Sequence, residues 1–89
     1  MSVDPFAAVA DTPSSPARVP FAIVPSDATE LAMVTKALYI GTGGNVTVRA
    51  VGATSDVTFK NVPTGATIDV RAQFVRATGT TAADIVGLA

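Results

Sequence analysis

The residues of this chain best equipped for chemistry are the carboxylates of its second half, Asp56, Asp69 and Asp84. Two carboxylates on either side of a glycosidic bond can act as acid and as base or nucleophile, and the spacing of these three permits such a pair. Sugar rings, however, need a wide groove and aromatic platforms. This chain has 89 residues, one Tyr, four Phe and no Trp. It also has no His and no Cys, which removes the usual nucleophile–base couples and ordinary zinc ligation. The glycine cluster Gly41-Thr42-Gly43-Gly44 lacks a following Lys-Ser or Lys-Thr and leads into a strand pattern, so it reads as a hairpin turn and not as a phosphate cradle. Thr78-Gly79-Thr80-Thr81 reads as another turn, and Asn45-Val46-Thr47 as a sequon without an export context. The expectation is a protein that is not an enzyme and that takes no cofactor and no metal.

Charge narrows the partners. Six basic and seven acidic residues leave a net charge of −1 and form no basic stripe, so nucleic acid is not an expected partner. The longest apolar runs, Leu31-Val34 and Ala37-Ile40, are too short to cross a bilayer, so membrane insertion is not expected. Asp4 stands where a signal peptide carries a base, which leads us to expect synthesis in the bacterial cytoplasm without a signal peptide. Arg49, Lys60 and Arg71, with Asp69, fall on the polar sides of strand patterns, as cross-strand charge pairs or as a solvated face.

The elements that position these groups follow from hydrophobic periodicity. Residues 1-20 hold Pro5, Pro13, Pro16 and Pro20 among Ala, Ser and Thr, a composition that sustains neither a helix nor a central strand. They are expected to form an extended N-terminal arm, and residues 21-89 an antiparallel β domain. Phe21-Val24 reads as a first strand. Asp27-Ala28-Thr29-Glu30 has the spacing of a capping box, which permits a turn or two of helix over Leu31-Val34. Strands are then expected over Val34-Ile40, residues 46–51, Val57-Lys60, Thr67-Arg76 and Ile85-Leu88. In the longest, Ile68, Val70, Ala72 and Phe74 line one apolar face. About six short strands between Gly- and Pro-rich turns make a small all-β fold, an antiparallel β-sandwich or partly open barrel.

So small a domain buries only roughly 60% of its unfolded surface. Without disulfides or a metal, the remaining staple is oligomerisation. The 48% apolar content points the same way, since part of it must face other subunits.

Three stretches carry a family resemblance: Phe21-Ala22-Ile23-Val24-Pro25-Ser26-Asp27, Ala37-Leu38-Tyr39-Ile40-Gly41-Thr42-Gly43-Gly44 and Val57-Thr58-Phe59-Lys60-Asn61-Val62-Pro63-Thr64-Gly65. With Val75-Arg76-Ala77-Thr78-Gly79-Thr80-Thr81-Ala82 and Ile85-Val86-Gly87-Leu88, the chain resembles the spike base protein family of gene transfer agents and related tailed phages and prophages. Ending in Leu88-Ala89, it lacks the aromatic last residue of many members, so no aromatic terminal contact is carried over. The resemblance implies a structural protein on the outer surface of the head, docked on the major capsid protein at fivefold vertices and anchoring a spike fibre. It implies a homo-oligomer, a pentamer with a trimer as competitor, because identical heterologous contacts close at the rotation their interface sets. The contact residues expected on this reading are Phe6, Val9, Arg18 and Val19 in the arm, and Tyr39, Arg49, Lys60 and Arg71 on exposed strand faces. The alternative reading is a receptor- or glycan-binding β module of a phage fibre.

Overall fold

The structure, a computed structural model, describes residues 3–89; Met1 and Ser2, the first residues of the expected arm, lie outside the described residues. Seven strands and no helix are present among the described residues: β1 (Pro20–Ala22), β2 (Ala37–Thr42), β3 (Gly44–Ala50), β4 (Val57–Val62), β5 (Ala66–Ile68), β6 (Ala72–Val75) and β7 (Ala83–Leu88). They form two antiparallel sheets, one in the order β1-β7-β2-β5 and one in the order β4-β3-β6. The fold is thus all-β, and it takes the sandwich form, with no closure into a barrel.

A single bent ribbon joins the sheets. β2 and β3 run almost without a break, and so do β4 and β5; β2 pairs with β5 in one sheet, and β3 with β4 in the other. The ribbon folds at Gly43 and Pro63. Gly43 N–H donates to Thr64 Oγ1 at 2.8 Å, and Gly65 N–H to the Ile40 carbonyl at 2.7 Å. A Cβ on Gly43 would stand 2.5 Å from the Val62 carbonyl oxygen, so the two chains cross here only because that residue has no side chain. The expected hairpin turn at residues 41–45 is therefore a corner between sheets. The hairpin turn itself lies at residues 51–56, where β3 passes to β4.

The expected strand Thr67-Arg76 is likewise divided. Its first part pairs with β2 as β5; its second pairs with β3 as β6, across a register shift between Arg49 and Ala50. That shift turns Phe74 away from the core face on which alternation placed it. Ala72 and Val75 join the cluster between the sheets, with Leu38, Ile40, Val46, Val48 and Ile85, while Phe74, also buried, stands outside that cluster.

No helix forms over Leu31-Val34, because the capping groups are used elsewhere. The Asp27 carboxylate accepts from Thr78 N–H and Thr78 Oγ1, and Ser26 Oγ takes the N–H groups of Ala28 and Thr29. Leu31 N–H then donates to the Gln73 carbonyl, and Thr35 N–H to that of Ala72, so residues 26–35 strap the outer edge of β6. Thr35 is fully buried in this strap; its hydroxyl donates to the Val70 carbonyl and accepts from Ala72 N–H.

Candidate functional site

The arm's root and its tip behave differently. Arg18 and Val19 N–H groups both donate to the Ala89 carbonyl, at 2.7 and 2.8 Å, which extends the β1–β7 pairing backwards. Lys36 Nζ, just ahead of β2, holds the Asp11 carboxylate at 2.5 Å and the Pro16 carbonyl at 3.1 Å. Beyond Asp11 the tip makes, among the described residues, only local bonds: Phe6 N–H to Asp4 Oδ1, Ala7 N–H to the Asp4 carbonyl and Val9 N–H to the Phe6 carbonyl. Phe6 and Val9 are 70% and 61% exposed.

Between the root and the β domain lies a cleft of about 500 Å³. Arg18, Val19 and Arg71, three of the contact residues expected from sequence, line it together with Asp11, Met33 and Lys36. Arg18, Lys36 and Arg71 stand there with the Asp11 carboxylate, which Lys36 already holds, beside apolar walls. A second groove, of about 330 Å³, runs along the arm and is lined by Phe6, Val9 and Arg18. Such surfaces suit an acidic or apolar segment of another protein chain. Among the described residues no cluster of His, Cys, Asp or Glu is arranged for a metal ion.

The remaining expected residues are dispersed. Tyr39 lies on β2, exposed, in a cross-strand row with Val86 and Thr67. Lys60 is exposed on β4. Arg49 is not on an open face: it is half-buried, its guanidinium carbon 4.3 Å from the Phe74 ring centroid, with Arg76 stacked on the same ring at 4.0 Å. Arg76 is further engaged by Asp56 Oδ1 at 3.2 Å and by the Asp27 carbonyl at 2.7 Å. Arg49 Nε is buried with no partner among the described residues, a cost of about 1–3 kcal/mol in part offset by the cation–π stack. Period-two reading missed this stack because the register shift behind it leaves no local mark. It also missed the Lys36–Asp11 and Arg76–Asp56 ion pairs, formed across 25 and 20 residues. The Asp27 carboxyl is held below its ordinary range, chiefly by the Thr78 backbone N–H and then by the Thr78 hydroxyl.

No protein-family model matches the chain, and no curated protein does. Among solved structures, it is similar to a chain from the capsid of a native gene transfer agent (GTA) particle, a structure computed with C5 symmetry. The two are 40% identical over 98% of this chain and 100% of the other, with a TM-score of 0.87. The chain belongs to the structural proteins of gene transfer agent particles. In this GTA protein the exposed apolar arm and the cationic cleft are accordingly surfaces of a particle component.

Proposed function

We propose that this GTA protein is the base of a head spike: it docks on the major capsid protein at fivefold vertices, on the outer surface of the head, and anchors a spike fibre. The whole-length likeness to a chain of a capsid computed with C5 symmetry is the observation that carries this reading. A pentamer is the assembly that matches such a vertex, since five identical heterologous contacts close there. The arm supplies the neighbour or capsid contacts through Phe6, Val9, Arg18 and Val19, with Arg71 in the same cleft, and the strand faces carrying Tyr39 and Lys60 present the other side. Arg49, held over Phe74, is the half-buried member of the expected set. Each contact need only be weak, because affinity multiplies with the number of subunits engaged. The role is adaptor binding, without catalysis.

Particles made without this chain test the reading. Reconstruction of their vertices should show heads of normal size that have lost the vertex projection and its fibre. Intact projections on such particles would contradict it.

A further inference from the structure

An antiparallel strand directs alternate residues' N–H and C=O groups to opposite sides, and the hydrogen bonds of the three-stranded sheet fix which way each residue of β4 points. Thr47 N–H donates to Thr80 Oγ1, and the Thr47 carbonyl accepts from Arg76 N–H, so Thr47 faces away from β4. The Thr47–Thr58 pair is then the unbonded one, its two hydroxyls sharing a hydrogen bond of 2.8 Å, and the bonded pairs are Val46 with Phe59 and Val48 with Val57. Alternation leaves the backbone groups of Thr58 and Lys60 directed outward. Among the described residues nothing bonds to them. The opposite edge of the same sheet is strapped by residues 26–35. Natural proteins cover, shorten or charge such an edge unless it serves for pairing. This one runs regularly from Val57 to Lys60, with no Pro and a single Lys, beside a Val57 that is 55% exposed, before a register shift and the left-handed Asn61 end it.

We propose that this edge takes the arm tip of a second copy of the chain, Phe6–Ala10, as an added strand against Val57–Lys60. The inference deepens the proposed function and rests on the self-association stated there. The tip is suited to the task for three reasons. It is a Pro-free stretch directly after Pro5, so every residue has an N–H to give. Its present backbone bonds are the local turns from Asp4 and Phe6, which an extended partner readily replaces. Its root is tied to its own subunit at Asp11, Arg18 and Val19, so the tip bridges to another. Main-chain bonds would supply affinity, and Phe6 or Val9 would lose its exposure beside Val57. A contact between a tip and an edge is heterologous, the type that closes rings.

Amide hydrogen exchange on the purified full chain, at concentrations where light scattering finds an oligomer, tests this, with two variants alongside. Thr58 and Lys60 amides, free in a dilute sample, should become protected together with residues 6–10 in the oligomer. Deletion of residues 3–10 should abolish that protection, and so should Lys60→Pro, which removes one outward N–H while an edge position tolerates the ring. Both variants should keep the exchange pattern of the β2–β7 core, which shows that they fold. An oligomer with Thr58 and Lys60 unprotected would overturn the inference alone, as would protection that survives loss of the tip. A chain that stays monomeric at every concentration would overturn both the inference and the self-association beneath it.

Discussion

Leu38 and Ile40 in β2 are fully buried, while Phe6 and Val9 in the arm stand open to solvent, although all four are large apolar residues of one short chain. The difference is one of backbone. In β2 every second residue is aimed at the facing sheet, and the chain's own ladders satisfy the polar groups that accompany it inward. Ahead of Arg18, Pro5, Pro13 and Pro16 keep the arm out of the sheets, so its apolar side chains have no interior of their own to enter, whereas Pro20 already stands in the edge strand β1. The β domain is complete within one chain; the arm's apolar side chains are left uncovered by it, which is why the proposed function assigns them to another chain.

The sharpest break of this contrast comes from the buried side. Leu38→Ala leaves a cavity where the two sheets meet, and should destabilise the fold by about 2–5 kcal/mol, read as a lowered denaturation midpoint in urea. The exposed side should behave in the opposite way. Phe6→Ser with Val19→Ser should leave the midpoint within about 0.5 kcal/mol of the parent, yet weaken oligomer formation in sedimentation, because neither side chain supports the β domain's core. Equal loss of stability in the two variants would erase the distinction.

The smallest effect concerns the clasp between Asp27 and Thr78. The folded chain holds the Asp27 carboxyl below its ordinary value, so it binds that proton less readily than the unfolded chain does. Its contribution is whole above the ordinary aspartate range and is lost as pH falls through that range towards the lowered folded value. Thermal melts should therefore show Asp27→Asn slightly less stable than the parent at neutral pH, with the gap closing in acid. A gap that does not depend on pH would mean that the carboxylate's charge has no part in the clasp.

Much of the architecture was legible in the sequence because period-two alternation survives wherever a strand has one buried face. Val46 and Val48 in β3 lie on the one face where that pattern puts them. The bend at Gly43 was not legible, since a glycine cluster marks a hairpin turn and a corner between sheets equally well. The break in the long strand was hidden too, because Ile68, Val70, Ala72 and Phe74 keep their alternation in sequence while the chain changes sheets beneath it. For the site, composition showed an apolar surplus in the chain as a whole without saying where it lies, and the structure leaves Phe6 and Val9 of the arm exposed; Arg18, Val19 and Arg71 were legible singly. Their convergence on one cleft was not, because Ala89, Lys36 and the strap bring it about from distant parts of the chain.

The most direct test of the central claim, a self-complete β domain that assembles through surfaces it cannot cover alone, is the absolute mass of the purified chain across a dilution series, by native mass spectrometry. The account predicts a species of five times the chain mass that dissociates to folded monomer. A monomer at every concentration would contradict self-assembly, and a stable trimer would contradict the fivefold vertex.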